Sequence, residues 1–253
     1  MAFQITDLTC NHMKNPIGMD DVPYFSYKLV DNGSDEKLTA YQIIVDDGTM
    51  IMWNSGRVPK DKQLLIKYDG KSLKPQTRYF WRVLAWNNHG ECSESQQAYF
   101  ETGLMQPFQW EAKWITADPQ GIMVGNKTGS HTTAPYMRRE FSVSKPVFDA
   151  TLYVSGLGYY ECYINGKSVK DTVLDPAFTE YDKAVMYRTH KVTNIVQGNN
   201  AISVVLGDGF YNADTDDVWN FVNAAWRDHS KCILILSIKY EDGTREEIVS
   251  DQS

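Results

Sequence analysis

The sequence has little cysteine, no long apolar run and no excess of positive charge, and each lack excludes a class of protein. Its 253 residues include four cysteines and carry a formal net charge of −7. A pI near 5.2 argues against a nucleic-acid partner, because phosphate binding requires a basic face. No apolar run reaches the length of about 18 residues that a transmembrane helix needs. We therefore expect neither a nucleic acid nor a membrane as a partner.

The N-terminal residues lack the apolar core of a signal peptide. This pattern favours a cytoplasmic location, with a periplasmic or secreted protein as the alternative if a signal segment has been removed.

The cysteines, at positions 10, 92, 162 and 232, lie far apart and form no C-x-x-C motif. Free cysteine behaves as a small buried hydrophobe, so the pattern favours unreactive core thiols. Two alternatives stay open. One is a disulfide between Cys162 and Cys232, and the other is a zinc site, which is disfavoured because no histidine lies near either residue.

Motifs of several enzyme classes are also missing. The sequence has neither the G-x-S-x-G of a nucleophile elbow nor the H-E-x-x-H of a metallohydrolase. Gly156 and Gly158 begin a dinucleotide fingerprint, but Glu161 stands where the third glycine belongs. With 32 acidic residues in the chain, no particular pair is singled out as the two carboxylates of a glycosidase. We predict no catalytic residue here.

What the sequence does contain is a series of short alternating strands, which predicts an all-β fold of two consecutive β-sandwiches. Residues 1–104 hold evenly spaced strands separated by turn signals such as Asp47-Gly48 and Asp69-Gly70. Residues 105–134 are predicted to be a linker that includes the first short strand of the next domain, at Trp114-Ile115. Residues 135–253 form the second sandwich.

The most informative stretch runs from residue 150 to 189. Period-two alternation indicates half-buried strands, with Leu152 and Val154 inward and Tyr153 and its neighbours in solvent. The next strand places Tyr160, Cys162 and Ile164 on one face. It ends at Asn165-Gly166, the strongest short hairpin signal.

Aromatic residues raise the question of sugar binding. In the first domain, Trp53 and Trp81 are interpreted as core anchors rather than sugar platforms. In the second, the loop 207–228 combines acidic and aromatic residues, which suits stacking on a sugar and binding of a hard cation. The candidate carbohydrate-binding residues are Asp208, Trp219, Phe221, Trp226 and Arg227.

The same loop holds the candidate calcium ligands Asp214, Asp216 and Asp217. Their spacing fits only the start of an EF-hand loop, since Trp219 and Ala225 occupy the positions of its glycine and its glutamate. No cofactor is required by the sequence, and calcium is the one that it suggests. The competing interpretation is a solvated acidic turn followed by aromatics that pack on a neighbouring domain.

Several strings together resemble the N-terminal sandwich of bacterial α-L-rhamnosidases. The first hundred residues are similar to the fibronectin-III-like module that precedes this sandwich in the same family, and the second sandwich is then expected to be jelly-roll-like. The strings are GLGYYE at 156–161, YINGK at 163–167, LDP at 174–176, GNN at 198–200 and LGDGFY at 206–211.

The resemblance implies an accessory role. In that family a helical (α/α)6 barrel follows and holds the catalytic carboxylates, and the enzyme removes terminal α-L-rhamnose by inversion. The strand that starts near Glu246 stops at Ser253, so we expect a truncated, inactive N-terminal region. Its partners would be the missing C-terminal catalytic domain and a rhamnose-containing carbohydrate. The alternatives are a self-standing carbohydrate-binding module and, ranked last, a cell-surface adhesion protein.

Overall fold

The computed structural model is built almost entirely of antiparallel β-strands. It describes residues 3–30, 37–105, 110–117, 134–170, 172–213 and 218–251. Within these ranges the helical structure is limited to one 3-10 turn, Phe221–Asn223. None of it is long and apolar enough to cross a membrane. The chain divides into two compact units, Met1–Gln109 and Trp110–Ser253.

The first unit is a sandwich of two sheets. One sheet has the order β1-β2-β5 and the other β4-β3-β6-β7, with β8 also paired to β6. The strands are β1 (Gln4–Cys10), β2 (Tyr24–Val30), β3 (Leu38–Asp46), β4 (Ile51–Asn54), β5 (Ile66–Lys67), β6 (Arg78–Asn87), β7 (Cys92–Glu94) and β8 (Ala98–Glu101).

Aromatic side chains fill the space between these sheets. Trp81 is 1% exposed, and its ring centroid lies 4.5 Å from that of Phe25. Trp53 is half-buried and packs against the same core. Both tryptophans are therefore core anchors, as the sequence predicts.

The second unit is also a sandwich, so the predicted all-β fold of two consecutive sandwiches is confirmed. Its sheets have the orders β13-β10-β15-β16 and β12-β11-β14-β9. The strands are β9 (Tyr136–Val143), β10 (Val147–Leu157), β11 (Tyr159–Ile164), β12 (Lys167–Ser168), β13 (Arg188–Lys191), β14 (Gly198–Gly207), β15 (Lys231–Tyr240) and β16 (Arg245–Val249).

The hairpin between β11 and β12 forms as the sequence predicts. Ile164 pairs with Lys167, which leaves Asn165 and Gly166 as a two-residue turn. Both turn residues have positive φ, 50° and 77°. Positive φ at both positions matches the twist of the flanking strands. Tyr160, Cys162 and Ile164 all point into the core, each at most 1% exposed.

The expectation that β10 is half-exposed is wrong. Its second face, Thr151, Tyr153 and Ser155, is buried as well as its first. Residues 186–187 contact this face. Ser155 Oγ donates to the Met186 carbonyl oxygen at 2.6 Å. The rings of Tyr153 and Tyr187 lie 6.2 Å apart.

The cysteines separate into two groups. Cys10, Cys162 and Cys232 are buried, and Cys162 and Cys232 are free rather than joined in a disulfide. Burial raises the pKa of each of these three thiols to about 12, so they are unreactive core thiols as predicted. The same prediction is wrong for Cys92, which is exposed at the edge of the first unit.

Residues 110–117 contribute to the second unit. Ile115 and Cys232 exchange backbone hydrogen bonds of 2.8 and 2.9 Å, and Lys113 N donates to the Ser250 carbonyl oxygen at 2.7 Å. The predicted strand at Trp114-Ile115 is thus a single bridge beside β15. Most of the predicted linker lies outside the described residues.

Candidate functional site

The candidate site is the connection between β14 and β15, at one end of the second sandwich. Residues 208–213 and 218–230 of this loop are described. The candidate calcium ligands Asp214, Asp216 and Asp217 lie outside the described residues. Within the described ranges, no group of three metal-binding side chains is assembled. Calcium binding therefore stays a prediction.

Asp208 fixes the start of the loop to its end. Its Oδ1 atom accepts hydrogen bonds from Ser230 Oγ at 2.6 Å and from Asn212 Nδ2 at 3.2 Å. Ser230 and Asn212 are both fully buried. Since a buried polar group is costly unless it is paired, this network holds the loop closed at its base. The carboxylate predicted to bind sugar is thus engaged within the protein.

Arg227 continues the same network. Its Nε donates to Asn212 Oδ1 at 3.0 Å, and its Nη1 donates to the Val222 carbonyl oxygen at 3.1 Å. The guanidinium group ties the 3-10 turn to the base of the loop. Arg227 was predicted to contact a sugar, and the structure gives it a role in positioning the aromatic residues around it.

Five aromatic side chains meet above this base, and we call them the aromatic surface. The ring of Phe178 lies 5.4 Å from Phe221, 5.6 Å from Phe210, 5.5 Å from Tyr181 and 6.5 Å from Trp226. Most of these contacts are edge-to-face, a favourable arrangement for aromatic rings. Two of the three predicted aromatic residues, Phe221 and Trp226, therefore belong to one cluster.

The aromatic surface is only partly covered by the protein. Phe178 is 45% exposed and Phe210 is 44% exposed. Trp219, the third predicted aromatic residue, is 73% exposed, and its neighbour Val218 is 93% exposed. The loop thus presents apolar side chains to solvent at the end of an otherwise well-packed sandwich, which is a mark of an interaction site.

Sequence reasoning missed Phe178 and Tyr181. They come from the segment 172–187, about 40 residues before the loop, and no periodicity links the two segments. One signal was present. Pro176 marks an extended crossing segment, because proline biases the residue before it away from helix.

The described carboxylates of the site are engaged by other groups of the protein. Burial opposes ionisation of Asp228, but hydrogen bonds from Lys231 and from the His229 N–H outweigh it and lower the pKa of the carboxyl. A glycosidase acid needs a carboxyl that is kept protonated, so its pKa must be raised. Among the described residues of the loop, Asp208 and Asp228 both have internal partners.

The fold and the site define a class: a pair of β-sandwiches with an aromatic surface on the second. Comparison with known sequences narrows this class. Residues 5–106 match the Rha78A-like N-terminal immunoglobulin domain, and residues 145–253 match the alpha-L-rhamnosidase N-terminal domain. The two sandwiches are thus N-terminal domains of the α-L-rhamnosidase type.

Individual relatives agree with this assignment. The chain is 34% identical, over 96% of its length, to an alpha-L-rhamnosidase of Formosa agariphila, and it spans 28% of that protein. It is 38% identical to a solved alpha-L-rhamnosidase from Dictyoglumus thermophilum, with a TM-score of 0.84 over 98% of this chain and 29% of the other. A solved relative from Aspergillus terreus is 27% identical, with a TM-score of 0.85 over 99% of this chain and 29% of the other.

Proposed function

We propose that this chain is the non-catalytic N-terminal accessory region of an α-L-rhamnosidase-type glycosidase that releases terminal α-L-rhamnose. The observation that carries the proposal is that both sandwiches match N-terminal domains of this family, while the chain spans only 28–29% of its relatives. The substrate of the whole enzyme is then a rhamnose-containing carbohydrate.

The aromatic surface supports a packing role for the second sandwich. Phe178 and Phe210 are each nearly half exposed, yet their inner edges are fixed by contacts with Phe221. Preformed apolar surface loses little conformational entropy when a partner covers it. The partner in this proposal is the C-terminal catalytic domain of the same polypeptide.

Fluorescence of an apolar dye tests the packing role. We expect the chain to bind 8-anilinonaphthalene-1-sulfonate, and the double variant F178S/F210S to lose about half of the signal or more, because these rings provide the exposed apolar area. The matched control is Phe148→Ser in the same unit, where Phe148 is 67% exposed but lies on β10. Equal loss of fluorescence in both variants would show that the aromatic surface is not the main dye-binding site and would contradict its packing role.

A second candidate function is carbohydrate binding by the same loop. It is favoured by Trp219, which is 73% exposed and belongs to the same loop as Phe221 and Trp226. Tryptophan faces stack on the apolar side of sugars, and a nearby cation would hold their hydroxyl groups. Titration with L-rhamnose, with and without calcium, tests it. Saturable binding that Trp219→Ala abolishes supports a binding module, and no binding at millimolar sugar leaves the accessory role alone.

A further inference from the structure

The first sandwich has a groove between its two sheets that takes no part in the functions proposed above. This groove has a volume of about 600 Å³ and is lined from the stretches 3–15 and 93–98. One wall is the edge strand β1, and the other is formed by β7, β8 and the loop between them. Small-ligand sites have volumes of about 300–1,000 Å³, so the groove is large enough for one. We call it the polar groove.

Hydrogen bonds between the two walls fix the shape of the polar groove. Ser93 Oγ donates to the Phe3 carbonyl oxygen at 2.5 Å, and Tyr99 N donates to Asn15 Oδ1 at 3.0 Å. Asp7 lines the groove at a bulge of β1, where its φ is 48°. Bulges re-aim side chains and are frequent beside active sites. The groove is therefore preformed, which lowers the cost of binding a ligand.

The charged residues of the lining are balanced within the protein. Three carboxylates meet three cations there. The pairs are Lys14–Asp7 at 2.9 Å, Lys28–Asp7 at 2.9 Å, Arg82–Glu94 at 2.8 Å and Arg82–Asp46 at 3.9 Å. Because complementary charge is what selects an ionic ligand, a balanced lining favours a neutral one.

Uncharged polar groups of the lining are still available. Gln96 and Gln97 are exposed in the loop before β8, and their side-chain amides bond no other residue in the described part of the chain. Asn15 is held in place through its Oδ1 atom, which leaves the Nδ2 donors for a ligand. The same groove has an apolar portion, made of Ile5, Leu8 and Ala98.

We propose that the polar groove is a carbohydrate site that holds a neutral sugar through the side chains of Asn15, Gln96 and Gln97. An amide both donates and accepts hydrogen bonds, as a sugar hydroxyl does. The apolar portion suits the C–H surface of the sugar. A deoxy sugar such as rhamnose fits this combination, because a methyl group replaces one hydroxymethyl group. The choice of rhamnose rests on the proposed function, whereas the groove lies on the first unit and is separate from the loop 207–228.

NMR titration of the nitrogen-labelled chain with methyl α-L-rhamnoside tests the proposal. We expect the side-chain amide signals of Asn15, Gln96 and Gln97 to shift and to saturate with a Kd of about 10 mM or tighter. The double variant Q96A/Q97A should bind at least about tenfold more weakly. The matched control is Gln42→Ala in the same unit, because the Gln42 amide is already bonded to Asn54 Oδ1 at 2.8 Å.

Two further sugars separate the possible results. Methyl β-D-glucuronide carries a negative charge and is expected to bind more weakly, so tighter binding of the glucuronide overturns the proposal. Shifts of the three amides with methyl α-D-glucoside, but not with the rhamnoside, support the groove and contradict the sugar that the proposed function implies. No saturable shift with either neutral sugar overturns the proposal, and so does equal affinity of Q96A/Q97A and the parent chain. Trp219→Ala should leave the shifts unchanged, because that residue belongs to the other unit.

Discussion

At the scale of single residues, the loop between β14 and β15 depends on a buried amide. Asn212 is fully buried, donates to Asp208 and accepts from Arg227. Residue types alone marked Asp208 and Arg227 as sugar ligands, because a carboxylate and a guanidinium next to aromatics are common in binding sites. Both side chains bond Asn212, whose burial no local pattern indicates, and their predicted contact with a sugar stays a prediction.

Replacement of Asn212 tests this role. We expect Asn212→Ala to lower the free energy of unfolding by about 1–3 kcal/mol, because it removes the acceptor of the Arg227 Nε hydrogen bond and one of the two donors to the Asp208 carboxylate. The control is Asn223→Ala, since Asn223 makes an exposed side-chain hydrogen bond to Asn220 in the same loop. Urea denaturation of both variants gives the comparison, and equal stabilities would contradict the proposed network.

The buried thiols give a pH dependence with a definite sign. The ordinary pKa of the Cys162 and Cys232 thiols is 9.0, and burial raises both to about 12. The unfolded chain therefore loses these protons before the folded chain does. Their contribution to stability is complete below pH 9 and is lost as pH rises toward 12.

We expect the urea midpoint to fall between about pH 8 and about pH 10.5. The fall should be smaller in Cys162→Ala than in the parent chain, because one titrating thiol is gone. Thiol labelling provides an independent check. Cys92 should react in the folded protein, and the other three only after denaturation. Failure of Cys162 and Cys232 to label even in denaturant would indicate a disulfide instead.

At the scale of elements, the sequence predicted those features that depend only on residues close together in the chain. The Asn165-Gly166 turn and the inward face of β11 follow from positive φ and period-two alternation. The burial of the second face of β10 could not be predicted from its alternation. The alternation of its own strand predicts that Tyr153 is exposed, but it is 3% exposed and its ring lies 6.2 Å from that of Tyr187. The aromatic surface was found only in part for the same reason, since Phe178 reaches Phe221 through tertiary contact.

The turn offers a test at this scale. We expect Gly166→Ala to destabilise the second unit by about 1 kcal/mol, because alanine is strained at a φ of 77°. No neighbouring atom lies within 4 Å of an added Cβ, so the effect isolates the backbone. Gly207→Ala is the matched control, because its added Cβ also meets open space and its φ is not positive. Thermal unfolding should separate the two variants, and equal losses would show that the turn conformation does not matter.

At the scale of the whole molecule, the described residues form two sandwiches with separate cores, and the second carries the partly exposed aromatic surface. The polar groove lies on the first unit. The first unit has a core rich in aromatic residues, and Trp53 and Trp81 are part of it. This distribution agrees with a chain whose domains belong to a glycosidase family and whose described carboxylates at the loop have structural partners.

The most direct test of this account is hydrolysis of an aryl α-L-rhamnoside by the purified chain, beside an α-L-rhamnosidase relative as the active control. The account predicts no release of the aryl group by the chain above that of buffer, at any pH where the relative is active. Turnover by the chain itself, lost when a carboxylate of the two sandwiches is replaced, would place a catalytic pair within these domains and contradict the accessory role.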